Sequence, residues 1–248
     1  MEQVVELKEM GEGIILIKMQ DKVSKNTFSM ELITSLTNAF KFVETQTQYK
    51  VVILTGYDTY FASGGTQDQL IALSDGKAKF TESNLYSMAL NCPIPVISAM
   101  QGHGIGGGFA MGLFADFVVL SRESIYTTNF MKYGFTPGMG ATLILPKKLG
   151  IGLAQEMLLT AKNYRGEELQ IRGIPFPVVP REKVLEHALE LAKSLVEKPR
   201  VSLVALKDHL VASLREELPK VIQEEVMMHD KTFRQPEVRN RIETLFGK

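Results

Sequence analysis

The alternation of apolar and polar positions predicts a series of strands in the first half of the chain. Short apolar runs favour buried strands at Lys50–Gly56, Val96–Met100 and Phe117–Leu120. Two further strands, Val4–Met10 and Gly13–Met19, flank a Gly-Glu-Gly turn that is typical of a hairpin. The spacing between these runs leaves room for helices, which is the pattern of an α/β protein.

Helical spacing of apolar residues predicts the intervening elements. After Ser29, which can cap a helix, leucines and aromatic residues recur every three or four positions up to Val43. A second helix is expected over Leu70–Asn91, with a break near Gly76. Further helices are predicted at Ala141–Leu149, Gly152–Thr160, Arg181–Glu197, Ser202–Arg215, Pro219–Phe233 and Glu237–Phe246. We therefore expect an α/β core over residues 1–190 and a C-terminal helical region over 191–248.

Two stretches of small residues stand where a strand meets a helix. One is Phe61–Thr66, with the sequence FASGGT, and the other is Gly102–Gly108, with the sequence GHGIGGG. Glycine allows a ligand to approach the backbone closely, and free N–H groups at such turns attract anionic oxygen. If the two strands are neighbours, one N–H group from each turn can stabilise the same oxyanion.

The glycines have two other interpretations. They can serve only the close packing of a strand against a helix. Gly102, Gly104 and Gly107 also match the G-x-G-x-x-G pattern of dinucleotide-binding proteins, with Glu123 near the position of the ribose-binding acid. This match is weak because it lies in the middle of the chain, without a clear βαβ unit around it.

Composition narrows the class of protein. The 248 residues include 28 Lys and Arg against 28 Asp and Glu, which gives no excess charge for nucleic acid or a membrane surface. Cys92 is the single cysteine, and the four histidines lack ligand spacing, so neither a disulfide nor a metal site is expected. We see no signal peptide and no apolar segment long enough for a membrane, and we expect a soluble cytoplasmic protein.

Three motifs together resemble the crotonase (enoyl-CoA hydratase/isomerase) superfamily. They are FASGGT, QGHGIGGGFAMGLFADFVVLS and YGFTPGMGATLILPKKLG, which occur in the family's order and spacing. The resemblance covers nearly the whole chain. It implies an α/β crotonase fold, a spiral of ββα units that forms a homotrimer through its C-terminal helices. It also implies that the N–H groups of Gly65 and Gly107 form the oxyanion hole.

The sequence departs from the family pattern where hydratases carry two glutamates. Ala110 and Phe130 occupy those positions, and neither side chain can transfer a proton. Family hydrolases place an aspartate near the third motif, where this chain has Met139 and Ala141 on either side of a glycine. Addition of water by two carboxylates is therefore not expected.

The chain resembles more narrowly the decarboxylases of polyketide β-branching cassettes. The similarity is carried by FASGGT, MQGHGIGGG, NFMKYGFTPGMGAT, ALKDHL and MMHDKTF. It implies decarboxylation of 3-methylglutaconyl-acyl-carrier-protein to 3-methylcrotonyl-acyl-carrier-protein. The acyl carrier protein would be the partner, its phosphopantetheine arm would carry the substrate, and no separate cofactor would be needed. Such a reaction requires an electron sink, a held carboxylate and one proton, which fits a site without glutamates.

The same resemblance implies two catalytic side chains, Lys79 and His229. One would anchor the carboxylate and the other would donate the proton, and the sequence does not decide which does which. From the residues alone, a solvated lysine on a mobile helix is the favoured interpretation of Lys79, whereas a surface or interface histidine and a functional role are equally good interpretations of His229. Phe130 would form an apolar wall of the substrate pocket, and Tyr86 could point into it. Lys77 would lie on another helix face. The alternative functions are an enoyl thioester isomerase and a non-catalytic protein of this fold.

Overall fold

The protein is described by a computed structural model that covers residues 3–78, 80–82 and 84–247. Two sheets form its centre, and helices cover them. The strands are β1 (Val5–Gly11), β2 (Ile14–Met19), β3 (Val51–Thr55), β4 (Tyr60–Ala62), β5 (Val96–Met100), β6 (His103–Ile105), β7 (Phe117–Ser121), β8 (Ile125–Thr127), β9 (Tyr164–Arg165) and β10 (Val178–Val179).

The larger sheet contains the strands that the apolar runs predicted. Its order is β1-β2-β3-β5-β7-β10, and the predicted hairpin of β1 and β2 is antiparallel. From β2 onward each strand pairs in parallel with the next. The residues of β3 and β5 are buried throughout, as expected for parallel strands that are covered on both faces.

The smaller sheet consists of strands that the sequence did not predict. Its order is β4-β6-β8-β9, with three-residue strands β4, β6 and β8 in parallel. Strands this short carry no readable period, and β6 lies inside the glycine stretch itself. Each of β3, β5 and β7 is followed at once by one of them, so the chain steps repeatedly from the larger sheet to the smaller. This repeat is the expected spiral of the crotonase fold.

The helices surround the two sheets. Ser29 caps the first of them, because its Oγ accepts the Leu32 N–H at 3.1 Å as the sequence predicted. They are α1 (Met30–Thr45), α2 (Gln67–Ser74), α3 (Met88–Asn91), α4 (Gly107–Leu113), α5 (Ala141–Leu149), α6 (Ile151–Thr160), α7 (Gly166–Ile171), α8 (Val184–Val196), α9 (Arg200–Thr232) and α10 (Pro236–Leu245).

The helix expected over Leu70–Asn91 is largely absent. Helix α2 ends at Ser74, and Gly76 then adopts a left-handed φ of 70°, which stops the helix at the predicted break. Beyond it the described residues form only the single 3₁₀ turns Phe80–Glu82 and Leu85–Ser87 before the short α3. The apolar residues of this segment face the core without the regular period that a long helix needs.

The two helices predicted on either side of Pro219 are one continuous helix of 33 residues. A proline inside a helix removes one N–H donor and usually breaks it. Here Leu218 and Ile222 are both buried against the core, and this packing keeps the helix continuous across the proline. Tertiary contacts therefore overrode the local signal that the prediction used.

Helix α8 covers the outer face of the larger sheet. Its side chains Val184, Ala188, Ala192 and Val196 pack on strand residues such as Ile53 in a second core cluster. The boundary expected near residue 190 falls inside this helix. None of the helices over the described residues combines the length and apolar character needed to cross a bilayer.

Candidate active site

The two glycine turns leave neighbouring strands of the smaller sheet. Strands β4 and β6 run parallel, with Ala62 opposite Gly104, and Gly65 and Gly107 each follow shortly after the end of one of these strands. Gly64 has a φ of 75°, and a Cβ added there would lie 3.0 Å from the Ile105 carbonyl oxygen and 3.4 Å from the Gly107 nitrogen. The two turns are thus in contact, as the oxyanion hypothesis required.

Gly65 and Gly107 both line a cavity of about 690 Å³. Among the described residues, neither backbone N–H group has a backbone acceptor. The two positions differ in the space around them. A Cβ on Gly107 would lie 2.4 Å from Met139 Sδ, whereas a Cβ on Gly65 would lie 3.5 Å from its nearest neighbour, Leu70. The two N–H groups thus border the same cavity.

Other glycines of the central stretch serve packing, as the first alternative interpretation supposed. A Cβ on Gly108 would lie 2.2 Å from the Ala62 carbonyl oxygen, and one on Gly102 would overlap the backbone of Thr59. The dinucleotide interpretation has no support, because Glu123 accepts the Arg181 N–H at 2.9 Å and is not among the residues lining the cavity. The stretch therefore combines packing positions, such as Gly102 and Gly108, with positions that line the cavity, such as Gly107.

His229 lies on α9 and enters the cavity within a cage of aromatic rings. Its ring centroid is 4.7 Å from that of Phe80, 4.8 Å from that of Phe233 and 6.4 Å from that of Phe135. Gly138 provides the space for it, since a Cβ at that position would lie 2.7 Å from His229 Cε1. The third motif therefore needs a glycine where the imidazole approaches the loop.

The imidazole of His229 is neutral at pH 7. Burial lowers its pKa from the usual 6.5 to about 4. Its Nε2 lies 2.8 Å from the Thr136 carbonyl oxygen, which can only accept, so Nε2 carries the proton and donates. The lone pair then resides on Nδ1, which is available to take up a proton when an anion binds nearby.

The two positions that carry glutamates in hydratases differ in their relation to the cavity. Phe130 is 6% exposed and lines the cavity, as predicted, with its ring 6.2 Å from that of Phe135. Ala110 is fully buried and does not line the cavity. Among the side chains that the structure describes, which do not include that of Glu82, no aspartate or glutamate lines the cavity. Over this part of the chain, the site lacks a carboxylate that could activate water.

Tyr86 is a predicted site residue that does not join this arrangement. The Tyr86 side chain, which was expected to point into the pocket, is 5% exposed, packs 6.3 Å from the Phe114 ring and lies in the core rather than among the residues that line the cavity. The 3₁₀ turn that carries it directs the ring to the core. Lys79 lies outside the described residues. Lys77 is 74% exposed and pairs with Asp75 at 3.0 Å, away from the cavity.

His103 is a cavity residue that was not among the predicted site residues. Its Nδ1 accepts the Ile125 N–H at 2.9 Å, so in the neutral ring the proton resides on Nε2. Burial, followed by the charges of Arg181 and Arg165, lowers its pKa and keeps it neutral. Because it lines the cavity, this side chain offers a donor to a bound ligand. Its position within the glycine turn is the sequence feature that could have identified it as a site residue.

The cavity reaches the surface at one side. Val23 and Met30 line it while being 96% and 70% exposed, whereas Phe130 and Phe135 are buried. A ligand can therefore enter beside Val23 and reach the aromatic cage. The described residues contain no group of three or more His, Cys, Asp or Glu side chains that could hold a metal ion.

The comparisons with known proteins agree with this geometry. The sequence model of the enoyl-CoA hydratase/isomerase family matches residues 9–246, and the chain belongs to that family. The bacillaene synthase decarboxylase PksI of Bacillus subtilis strain 168 is 64% identical over 244 residues, which cover 98% of each chain. The chain is accordingly a decarboxylase, a lyase of the crotonase superfamily.

Two solved structures are similar over almost their whole length. One, from a dehydratase/decarboxylase enzyme couple involved in polyketide beta-branching, has a TM-score of 0.98 and 63% identity and covers 99% of this chain and 100% of that chain. The other, the ECH2 decarboxylase domain of CurF from Lyngbya majuscula, has a TM-score of 0.95 and 50% identity with the same coverage. The crotonase fold expected from the sequence is confirmed.

Proposed function

We propose that this protein decarboxylates a 3-methylglutaconyl thioester on an acyl carrier protein to the 3-methylcrotonyl thioester, in polyketide β-branching. The observation that carries the proposal is the composition of the cavity. Two backbone donors, from Gly65 and Gly107, adjoin an aromatic cage that holds one histidine, and none of the described side chains that line it is a carboxylate. Such a site can stabilise an enolate, and its described side chains lack the pair of carboxylates that adds water in hydratases.

The chemistry follows from this arrangement. The bond between the departing carboxylate and the adjacent methylene carbon breaks, and its electron pair moves through the conjugated double bond to the thioester oxygen. The N–H groups of Gly65 and Gly107 are the donors for that oxygen. Carbon dioxide leaves as a neutral molecule, which apolar walls such as Phe130 accommodate better than a carboxylate. One proton on the terminal carbon of the dienolate completes the product.

Lys79 and His229 together supply the carboxylate anchor and the proton in this proposal. His229 is neutral in the free protein because its surroundings are apolar. A substrate carboxylate beside the ring would favour the imidazolium form, so Nδ1 would take up a proton as substrate binds. That proton is then available to the dienolate. The contacts of His229 with three aromatic rings support its place beside the carbon chain of the substrate.

Two observations support a substrate that is tethered to a carrier. The cavity meets the surface beside Val23 and Met30, so a long arm can enter there while its acyl end reaches Phe130. Polar side chains such as His103 and Asn129 line the cavity and can bind the amides of a phosphopantetheine arm. Coenzyme A presents the same arm, so the choice of carrier is a matter for experiment.

A homotrimer is part of the proposal. Helix α9 exposes Val201, Leu206 and Leu210 with 58% to 74% of their surface free, which favours coverage by another copy of the chain. Light scattering after gel filtration should give three chains per particle, and a monomer at micromolar concentration would contradict this. The cytoplasmic location expected from the sequence remains a prediction.

The decisive experiment is a mass-spectrometric assay with 3-methylglutaconyl thioesters of an acyl carrier protein and of coenzyme A. Loss of carbon dioxide supports the proposal, and a higher kcat/KM for the carrier-bound substrate identifies the handle. A shift of the double bond without loss of mass would identify an isomerase. An unchanged substrate would favour a non-catalytic protein of this fold.

A further inference from the structure

A buried glutamate that has no part in the chemistry described above holds the third motif in place. Glu225 of α9 is fully buried. Its Oε2 accepts the Gly140 N–H at 2.7 Å, and its Oε1 accepts the Thr142 N–H at 3.0 Å and the Thr142 hydroxyl at 2.7 Å. Three charge-assisted hydrogen bonds therefore join the centre of the helix to the loop at residues 135–142.

The backbone next to these hydrogen bonds, at Met139 and Gly140, adopts a left-handed conformation that is unfavourable for methionine. Met139 has a φ of 62° and Gly140 a φ of 72°, and a left-handed φ is costly for a side chain as bulky as methionine. Such a conformation persists only where its surroundings impose it. Glu225 bonds the residue that follows Met139 and thus fixes the peptide that gives methionine this conformation.

The constrained methionine lies at the oxyanion hole. Met139 Sδ is 2.4 Å from the place where a Cβ of Gly107 would be, so the thioether packs directly on the glycine Cα. Met139 also lines the cavity, as Gly107 does. A change in the loop conformation would therefore move the atoms that border the oxyanion donor.

The same helix holds the other end of the loop. One turn beyond Glu225, His229 donates to the Thr136 carbonyl oxygen, and Thr232 accepts the Thr136 N–H at 3.3 Å. These residues, spaced four and three positions apart, lie on one helical face. The glutamate fixes one end of the loop and the histidine the other, so His229 approaches Gly138 from a defined direction.

We propose that Glu225 is a positioning residue: through Gly140 and Thr142 it sets the conformation of Met139 and thereby aligns the oxyanion hole with His229. This inference rests on the proposed decarboxylation for its kinetic consequences. Its structural consequence, an ordered loop at residues 135–142, does not depend on the reaction.

The contacts explain why an amide would be a poor replacement. Each carboxylate oxygen accepts a backbone N–H, and glutamine could satisfy only one of the two, because its NH₂ group would face the other donor. Burial raises the pKa of Glu225, and its hydrogen bonds to Thr142 and Gly140 lower it. The nearby phenol of Tyr86 has its own pKa raised, by burial and then by the charge of Glu225.

The first test compares Glu225→Gln with Glu224→Gln, its exposed neighbour on the same helix. We expect Glu225→Gln to lower kcat by about 100-fold and to change KM little, because a misplacement of catalytic groups by about 1 Å has an effect of this size. Glu224→Gln should leave both constants unchanged. Thr142→Val, which removes one of the three bonds, should give an intermediate kcat. A kcat of Glu225→Gln equal to that of the wild type, in an enzyme that releases carbon dioxide, would overturn the inference.

The second test is independent of activity. Hydrogen exchange should show faster exchange of the amides of residues 135–142 in Glu225→Gln, with the strands of the larger sheet protected as in the wild type. Unchanged exchange in this loop would overturn the inference even if the wild type proved inactive on the proposed substrate. A wild type without decarboxylase activity but with the expected exchange would instead reject only the proposed function.

Discussion

The oxyanion edge and the aromatic cage meet in one cavity but are built in different ways. The edge consists of backbone groups of Gly65 and Gly107, at the ends of strands paired in the smaller sheet. The cage consists of side chains from segments far apart in the sequence, with Phe80, Phe135 and Phe233 around His229. A backbone donor is kept when its own side chain is substituted, whereas the shape of the cage depends on each of its packed rings.

The edge and the cage also suit opposite changes of charge during the proposed reaction: a gain of negative charge at the edge and a loss of it at the cage. In the proposed reaction, negative charge collects on the thioester oxygen, and the N–H groups at the edge would stabilise it. Negative charge disappears from the carboxylate, which becomes neutral carbon dioxide, and an apolar wall suits that product. A separation of polar and apolar regions within one cavity is what a decarboxylation needs. The following changes test each region in turn.

The largest effect is expected from Gly107→Val. Its Cβ would overlap Met139 Sδ and lie 3.1 Å from Phe28 Cε2, so the side chain would displace the loop and cover the donor. Loss of one oxyanion donor costs about 10² to 10³ in kcat, and blocked access adds to this. We expect no measurable release of carbon dioxide by mass spectrometry, with helical content retained by circular dichroism. Full activity would place the reaction elsewhere.

His229→Ala and Lys79→Ala should each lower the rate by about 100-fold, the usual contribution of a positioned proton-transfer group. Carbon dioxide release is the measurement, and gel filtration checks that the assembly is intact. The matched controls are His209→Ala and Lys77→Ala, because both side chains are exposed and lie outside the cavity. Wild-type rates in Lys79→Ala together with a loss in Lys77→Ala would contradict the assignment.

Phe130→Glu should not create a hydratase. Ala110 supplies no second carboxylate, so a single glutamate cannot complete the pair that water addition uses. The new charge would be buried among Phe135 and other apolar neighbours and should destabilise the protein by several kcal/mol, about 3 to 5 for an unpaired buried charge. Thermal unfolding measures the cost, and incubation with an enoyl thioester measures hydration. Efficient hydration by this variant would show that the pocket is misassigned.

Acid should weaken the protein through His229. The pKa of this group is about 4 when folded and near 6.5 when unfolded, so the unfolded chain binds the proton more tightly. The free energy of unfolding is therefore unaffected above pH 6.5, falls as the pH decreases from 6.5 to 4, and levels off below. The loss attributable to His229 is at most about 3 kcal/mol. Urea unfolding at several pH values should show a shallower slope for His229→Phe than for the wild type, because the variant keeps only the contribution of other groups such as His103, whose pKa burial also lowers.

The smallest effect is expected from Gly65→Ala. The added Cβ would lie 3.5 Å from Leu70, an ordinary contact, and would leave the backbone N–H in place. We expect wild-type stability and a kcat reduced by less than about tenfold, which corresponds to about 1.4 kcal/mol. Gly107→Ala is the matched comparison, because the same methyl group would meet Met139 there, and we expect it to lower kcat more than Gly65→Ala does. A loss equal to that of Gly107→Val would show that the edge is as crowded at Gly65 as at Gly107.

Much of the fold could be predicted because its main strands and helices carry strong periodic signals. The hairpin and the strands β3, β5 and β7 appear where apolar runs placed them. The short strands β4 and β6 were missed, since three residues show no period. The interruption at Pro219 was predicted but is absent, because Leu218 and Ile222 are anchored on both sides of it.

For the site, the sequence by itself determined which groups are present and which are missing. The glycine turns at Gly65 and Gly107 and the replacement of both hydratase glutamates are matters of residue identity. Tertiary structure decided which groups meet, because the cage around His229 joins side chains more than a hundred residues apart. It also excluded Tyr86 from the cavity and joined the buried Glu225 to the loop. Periodicity records which face of an element is buried, but only packing decides which other element that face contacts.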